Sequence, residues 1–310
     1  TLYKMGRENE AVDKFGEFIR QHPNSSFLPR VIFWLGQYYY QNRQFDLSRK
    51  NFEVLIRSFA HNTLAFEAHY QIGLTYLAEE KYVDAMRTFQ RFLDSCETGA
   101  QKAKVMLAIG DLFDMMGQNK EAIATYKELT QLVSSNNITV STQDKTEAAK
   151  PESVTRGSRK QRDEFVVDDD VQDGVVNESE AGSFIRAAFL RLGDYYKQNA
   201  QFQEAISSYE QALLFPFREL RAQIQFKIAE SQEESNNLES AQEAYAAISY
   251  VNEEDIPWVV KGLLRSAALY EEKRDRLKAI EQYEKIRVFK VEEAKFAQEK
   301  IELLKKEQKF

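Results

Sequence analysis

The stretch that decides the fold runs from Leu190 to Pro216 and reads LRLGDYYKQNAQFQEAISSYEQALLFP. It places Gly193 in the middle of a predicted helix and Ala205 twelve residues later. Glycine costs roughly 1 kcal/mol in a helix interior, so its presence there needs a packing reason. Two antiparallel helices joined by a short turn approach closely only where side chains are small. We therefore predict a helical hairpin with Gly193 and Ala205 at its crossing.

The same spacing recurs along the chain. Two small residues lie twelve apart in Gly36 and Ser48, Gly73 and Ala85, Gly110 and Ala122, Gly193 and Ala205, Ala229 and Ala241, and Ala267 and Ala279. An aromatic residue follows the second member of each pair by four positions, at Phe52, Phe89, Tyr126, Tyr209, Tyr245 and Tyr283. Such regular recurrence predicts an internal repeat in which the aromatic rings fill the gaps beside each crossing.

This signature resembles the tetratricopeptide repeat, in which small and aromatic positions alternate on two helices. The resemblance covers the chain except residues 134–183. It implies an all-α fold, a solenoid of helical hairpins wound into a right-handed superhelix and interrupted by one disordered insert. The predicted divisions are an N-terminal solenoid half at 1–133 with a truncated first repeat, the insert at 134–183, a C-terminal half at 184–289 and a capping helix at 290–310.

The first small residues of successive repeats are 37, 37, 83, 36 and 38 positions apart. These intervals exceed the usual 34. The longer period and the phrase HPNSSFLPRVIFWLGQYYYQNRQFDLSRKNFEVLI resemble a subgroup common in bacterial envelope proteins. The resemblance implies a location in the periplasm or at the outer membrane; cytoplasmic scaffolds with the same period are the alternative.

The interval of 83 holds one period and the insert, which is rich in polar and acidic residues without helical periodicity. Within it, residues 156–171 read RGSRKQRDEFVVDDDV and set a basic cluster beside an apolar and acidic one. This stretch is either a short motif that docks on a partner or a solvated linker. The composition favours the linker.

Both chain ends fit the same repeat. MGRENEAVDKF, from Met5 to Phe15, matches MGQNKEAIATY, from Met116 to Tyr126, which places Thr1 inside the first helix of an earlier repeat. We therefore expect the natural protein to begin upstream. At the other end, VEEAKFAQEKIELLKKEQKF is amphipathic and is predicted to cap the solenoid, because a last repeat otherwise exposes an apolar side.

Charge and motifs argue against several function classes. The two repeat regions carry 16 basic and 16 acidic groups at 1–133 and 20 and 22 at 184–310, so neither has the basic excess typical of nucleic-acid binding. The three histidines have no metal-ligand spacing, the glycines form no phosphate loop, and Cys96 is the only cysteine. No apolar run reaches the length of a membrane span. We expect no enzyme, no cofactor, no bound metal and no nucleic-acid partner.

The resemblance implies a non-enzymatic protein-protein interaction scaffold that binds a partner peptide or helix in a concave groove lined by the first helix of each pair. Its leading setting is a bacterial envelope assembly, and the alternative is a cytoplasmic scaffold or regulator. Counting from each crossing, the inward positions are Phe33, Trp34, Gln37, Tyr40, Tyr70, Gln71 and Leu74, then Arg191, Asp194, Lys197, Lys227, Glu230 and Arg265. For Trp34, packing under the preceding repeat is an equal alternative.

Members of the family that clamp chaperone C-termini use Lys and Asn at particular first-helix positions. The matching positions here carry Phe33, Gln37, Gln71, Lys104 and Ala108. Since most of the clamp residues are missing, that activity is not expected of this chain.

Overall fold

The computed structural model describes residues 8–135, 178–215, 220–249 and 253–307. In these ranges the chain is all-α, as predicted from its repeats. The helices are α1 Glu8–Gln21, α2 Leu28–Gln41, α3 Phe45–Ser58, α4 Thr63–Ala78, α5 Tyr82–Leu93, α6 Gly99–Met115, α7 Asn119–Ser135, α8 Glu178–Gln198, α9 Phe202–Leu213, α10 Arg221–Glu234, α11 Leu238–Ala246, α12 Ile256–Glu272, α13 Arg276–Ile286 and α14 Glu293–Glu307. A short 3-10 helix, Glu253–Asp255, precedes α12.

The chain divides into two compact units, which are described separately. Of the described residues, the first comprises 8–122 with 178–181, and the second comprises 123–135, 182–215, 220–249 and 253–307. Because α7 ends at Ser135 and α8 begins at Glu178, both ends of the sequence predicted as an insert are helical. The polar stretch at 178–183 lacks large apolar residues, and so its helix was missed. The rest of the predicted insert, at 136–177, lies outside the described residues, and the handedness of the superhelix stays a prediction.

Every hairpin in the described ranges turns in the same way after its first helix. In α8 the N–H of Gln201 donates to the carbonyl of Tyr196 at 2.8 Å, and the N–H of Ala200 donates to that of Lys197 at 3.0 Å. This pair of bonds is the Schellman ending of a helix, which requires one residue in the left-handed conformation. That residue is, in the successive hairpins, Arg43, Glu80, Gly117, Ala200, Asn236 and Arg274. The sequence did not reveal this turn, because only one of the six is glycine.

At the hairpin crossings of Gly36, Gly73 and Gly193, an aromatic ring packs against the glycine in addition to the small residue. A Cβ atom on Gly36 would lie 2.5 Å from Cε1 of Phe52, and Cβ atoms on Gly73 and Gly193 would overlap the rings of Phe89 and Tyr209 in the same way. The predicted contact of glycine with the small residue twelve positions later is therefore only part of the packing. The missing Cβ atom makes room for the aromatic residue four positions further on.

The second small residue of each pair is buried too. Ser48 Oγ donates to the carbonyl of Gly36 at 2.8 Å, which joins the two helices directly. The predicted crossing alanines are all buried, namely Ala85, Ala122, Ala205, Ala229, Ala241, Ala267 and Ala279. Gly110 is buried as well. The spacing of small residues therefore identifies the inside of each hairpin.

Apolar side chains between successive helices form the core of each unit. In the first unit the buried Cys96 belongs to a cluster with Phe89, Phe92 and Leu112. Burial raises the pKa of its thiol to about 11, which leaves it protonated and unreactive at neutral pH. In the second unit α14 contributes three buried side chains to the core of α10 to α13, namely Ala297, Ile301 and Leu304. The C-terminal helix thus covers the apolar side of α13.

Candidate functional site

The first helices of the hairpins in the second unit are joined by a repeated three-residue contact, here called a tyrosine-carboxylate link. A tyrosine from the second helix of one hairpin donates to a carboxylate of the first helix, and a cation from the next first helix pairs with that carboxylate. The links consist of Tyr209, Asp194 and Lys227; Tyr245, Glu233 and Arg265; and Tyr283, Glu271 and Lys300. Each link ties a hairpin to the helix that follows it.

The middle link shows the electrostatics of this contact. Tyr245 Oη donates to Glu233 Oε2 at 3.0 Å, and Arg265 Nε donates to Glu233 Oε1 at 2.8 Å. The hydrogen bonds from Arg265 hold the pKa of the Glu233 carboxyl below its ordinary value, although burial acts in the opposite direction. Burial, followed by the neighbouring Glu233 carboxylate, raises the pKa of Tyr245. Glu233 is therefore ionised and Tyr245 protonated at neutral pH, which is the state that the link requires.

A second set of charges lies beside the first link. Lys197 on α8 pairs with Glu230 on α10 and lies 3.2 Å from Glu234 Oε1. Burial alone would lower the pKa of Lys197, but the two carboxylates raise it above its ordinary value. Together with the pair of Asp194 and Lys227, this forms a continuous charged contact between two first helices.

A cleft of about 460 Å³ opens between α10 and α12. Its apolar lining comes from Phe226, Leu264 and Ala268, and its rim carries Glu230, Glu233, Glu234, Lys261 and Arg265. The ammonium of Lys261 lies 4.5 Å from the centroid of the Phe226 ring. An apolar floor with charged groups of both signs at its edge is the usual arrangement of a site for a peptide side chain.

Three family models described as tetratricopeptide repeat match this chain, one over residues 34–100, one over 187–215 and one over 1–25 and 104–133. The matched ranges include most of the hairpins of α2 to α7 and of α8 and α9. The chain carries tetratricopeptide repeats. Proteins built from such repeats are generally non-catalytic scaffolds for protein interaction. The hairpins of α10 to α13 lie outside the matched ranges but have the same crossings and turns.

Solved structures resemble the chain in fold. A signal transduction ATPase with numerous domains and a tetratricopeptide repeat sensor, from Pyrococcus horikoshii, matches with a TM-score of 0.55 and 14% identity, over 93% of this chain and 40% of its own. BtubC from P. vanneervenii matches with a TM-score of 0.51 and 12% identity, over 79% of this chain and 87% of its own. This chain therefore spans less than half of the ATPase. No curated protein sequence matches it significantly.

Four of the predicted groove residues of the C-terminal repeats are paired with one another. Asp194 pairs with Lys227, and Lys197 pairs with Glu230. Arg265 is held by Glu233 and also lines the cleft. Arg191 is exposed on α8. These charges join neighbouring repeats, and of the predicted set only Glu230 and Arg265 also line the cleft.

Two predicted aromatics of the N-terminal repeats pack within the first unit. The rings of Phe33 and Phe52 have centroids 5.5 Å apart, so Phe33 contacts the second helix of its own hairpin. Trp34 lies 4.9 Å from Phe15 on α1 and stacks on Tyr38 at 5.4 Å. Of the two alternatives for Trp34, packing against the preceding helix describes its position.

Tyr70 and Leu74 also contact the core of the first unit. The Tyr70 ring lies 5.5 Å from that of Phe89, and the ammonium of Lys104 lies 4.4 Å from its centroid. Burial, with a contribution from the Glu67 carboxylate, raises the pKa of Tyr70 to about 12. Tyr70, predicted to face the groove, is thus partly buried between Phe89 and Lys104.

The remaining predicted residues of the first unit are more exposed or polar. Gln37 is exposed on α2, and Tyr40 packs edge-on against Phe45 with centroids 5.7 Å apart. Gln71 donates to Glu67 Oε1 at 3.1 Å. Sequence counting thus found the first helices but did not separate the side chains that face a neighbouring repeat from those that face solvent.

Sequence reasoning found Glu230 and Arg265 but missed the apolar residues of the cleft and Lys261. Phe226 and Leu264 occupy first-helix positions, but they lie on α10 and α12, whose repeats have alanine in place of the crossing glycine. Lys261 was missed because a lysine on a helix is usually solvated. The sequence did offer one signal, which is the aromatic residues of this region. Besides Phe226, Trp258 lies near Lys261, with 5.6 Å between its ring centroid and the ammonium.

Two further observations concern the chemistry available. Within residues 8–135, 178–215, 220–249 and 253–307, no group of three or more His, Cys, Asp or Glu side chains is placed to hold a metal ion. None of the helices in these ranges has the length and apolar character needed to cross a bilayer.

Proposed function

We propose that the chain is a non-enzymatic scaffold that binds a partner peptide or helix on the first helices of its repeats, with the cleft between α10 and α12 as an anchoring site. The observation that carries this proposal is the apolar lining of Phe226, Leu264 and Ala268 beneath a charged rim. Tetratricopeptide repeat proteins generally serve as interaction scaffolds, and the cleft supplies a place where this one can bury a partner side chain.

The charges around the cleft define how the partner would lie. Arg265 is held by Glu233, whereas the half-exposed Glu234 lies 3.2 Å from Lys197 and can exchange this cation for one of the partner. Lys261 is exposed at the opposite edge, over the Phe226 ring. An apolar side chain of the partner enters between them, and charged residues on either side of it pair with Glu234 and Lys261. Such pairs orient a partner more than they strengthen its binding.

The test begins with a photoreactive amino acid in place of Lys261, incorporated in the native cells, and mass spectrometry of the captured protein. A control places the same amino acid at Leu277, an exposed residue of α13. The purified partner is then titrated against Ala268→Leu, which fills the cleft. The control is Ala124→Leu, which makes the same enlargement at an exposed side chain of α7. We expect roughly tenfold weaker binding for Ala268→Leu and less than about a twofold change for Ala124→Leu.

Two outcomes would overturn this proposal. One is capture of the same proteins from Leu277 as from Lys261, which would show that the crosslinking is nonspecific. The other is equal affinity of both leucine variants while their thermal midpoints match that of the wild type. A partner that binds elsewhere on the first helices would give the second outcome but not the first.

We further propose that this scaffold acts in a bacterial envelope assembly. The support is the repeat period of 36 to 38 residues, which is longer than usual. The alternative is a cytoplasmic scaffold or regulator. Fractionation of native cells with an antibody to this chain separates the two, because recovery in the cytoplasmic fraction alone would exclude the envelope.

A further inference from the structure

The first unit contains a second pocket, of about 300 Å³, between α4 and α5. Its polar lining comes from His69 and Tyr76 on α4 and from Asp84, Arg87, Thr88 and Arg91 on α5. The four α5 residues have the spacing of a single helix face, since they lie three or four positions apart. The pocket lies in the other unit from the cleft between α10 and α12, so it is independent of the function proposed above.

The two arginines give this pocket available positive charge. Arg87 lies 3.3 Å from Asp84, but both side chains are largely exposed, and such pairs contribute little and are easily exchanged. Arg91 is exposed and, within the described part of the chain, has no ion pair or hydrogen bond. Two guanidinium groups one helical turn apart therefore line the pocket, and Asp84, beside Arg87, is the one carboxylate in its lining.

The other polar groups of the pocket favour an acceptor as ligand. The hydroxyls of Thr88 and Ser95 already donate to the carbonyls of Asp84 and Phe92. The His69 ring stacks on Phe92 with centroids 5.0 Å apart and forms a flat wall. Burial lowers the pKa of His69, so the ring is neutral at pH 7 and supplies one N–H. The donors available to a ligand are thus the guanidinium and imidazole N–H groups and the Tyr76 hydroxyl.

We infer that this pocket binds an acidic segment of a partner protein. Arginine binds carboxylates through two parallel hydrogen bonds, so Arg91 takes one carboxylate, and Arg87 takes a second by exchanging Asp84. The two arginines lie four positions apart on the helix, which corresponds to a rise of about 6 Å. Carboxylates four apart on a helix or two apart on a strand have a similar separation. Residues 1–133 carry equal numbers of basic and acidic groups, which favours this local contact over a polyanion such as nucleic acid.

The test uses a fluorescein-labelled octaglutamate peptide as the probe and fluorescence anisotropy at about 50 mM salt as the readout, where exposed charges are only partly screened. The full chain is compared with Arg87→Ala/Arg91→Ala and with Lys50→Ala/Arg57→Ala. The second variant removes two exposed cations from α3 of the same unit and is a matched control for net charge. We expect at least about tenfold weaker binding for the α5 variant and less than about a twofold change for the α3 variant.

Several results would overturn the inference. Equal weakening by both variants would show general charge attraction, and no binding to the wild-type chain would show that the pocket has no such ligand. Full displacement of the peptide by millimolar inorganic phosphate would indicate a site for a small free anion. Arg87→Lys/Arg91→Lys keeps the charge but loses the paired hydrogen bonds, so unchanged binding by this variant also contradicts the proposed contact. Ala268→Leu leaves binding of the probe unchanged, which separates this site from the cleft.

Discussion

At the scale of single residues, Gly193 sets the distance between α8 and α9. A Cβ atom there would overlap the Tyr209 ring, which is fully buried and cannot move without displacing its neighbours. We therefore expect Gly193→Ala to lower the free energy of unfolding by about 1 to 3 kcal/mol, because overpacking outweighs the better helix propensity of alanine. Chemical denaturation measures the change.

Gly16→Ala is the matched control for that prediction. Gly16 also lies inside a helix, but a Cβ atom there would meet only the end of Arg20, at 3.8 Å. We expect this variant to be as stable as the wild type or more stable by up to about 1 kcal/mol. If both alanine variants change stability by the same amount, the crossing does not depend on the missing Cβ atom.

The turns between paired helices offer a second residue-scale prediction. Ala200 has a φ of +56°, a conformation that costs an L-residue about 1 to 2 kcal/mol. Ala200→Gly should stabilise the chain by about 0.5 to 1 kcal/mol, since the relief of strain exceeds the added flexibility of the unfolded state. Gly117→Ala should do the reverse, although no atom lies within 4 Å of its Cβ position. Thermal melts that shift in the same direction for both variants would contradict this account.

At the scale of helices, the tyrosine-carboxylate links predict a dependence of stability on pH. The pKa of Glu233 is lowered on folding, so its contribution is complete above the ordinary value near 4.5 and is lost as the pH falls through the lower folded value. Between about pH 5 and about pH 3, the free energy of unfolding should therefore decline less steeply in Glu233→Gln than in the wild type. Denaturant titrations across this range give the slope.

The control for the pH experiment is Glu243→Gln, which removes a carboxylate from the exposed side of α11. A change of slope as large as that of Glu233→Gln would assign the effect to net charge. Arg265→Met tests the same link from the other side, because removal of the partner cation should raise the pKa of Glu233 and make the chain less stable above about pH 5.

The helices also show what local sequence can and cannot specify. The spacing of Gly193 and Ala205 predicted the hairpin, because both residues act within one supersecondary unit. The links were not predicted, since Asp194 and Lys227 are 33 positions apart. The packing of α8, α9 and α10 must be known before the two can be paired. The same reason explains Tyr70, because its contacts with Phe89 and Lys104 depend on how α4 packs against α5 and α6.

At the scale of the whole molecule, the repeats on either side of residues 136–177 are expected to fold without them. Deleting residues 138–175, which lie outside the described ranges, should leave the far-UV helical signal per molecule almost unchanged. The entropy of closing a loop varies slowly with its length, so unfolding should stay cooperative. Circular dichroism and denaturant titration check both points, and loss of helical signal or of cooperativity in the deletion would mean that this segment contributes to the fold.

Most of the architecture followed from the sequence, because the repeat is a local pattern used many times. The start of α8 did not, since the polar residues 178–183 have no apolar periodicity before Ile185. The cleft between α10 and α12 did not either, because it forms from two repeats whose side chains leave space between them. The volume of the cleft depends on how neighbouring helices pack, so the sequence pattern of either helix alone does not predict it.

We expect the tyrosine-carboxylate links to make the stiffness of the second unit depend on salt concentration. Each of them joins the two helices of a hairpin through one hydrogen bond and ties that hairpin to the following helix through an ion pair, in parallel with the apolar core. Under a pulling force, the ionic part yields more readily as salt rises, because partly exposed charges are screened while apolar contacts are not. The second unit should therefore be stiffer at low salt than at high salt, without any change of fold.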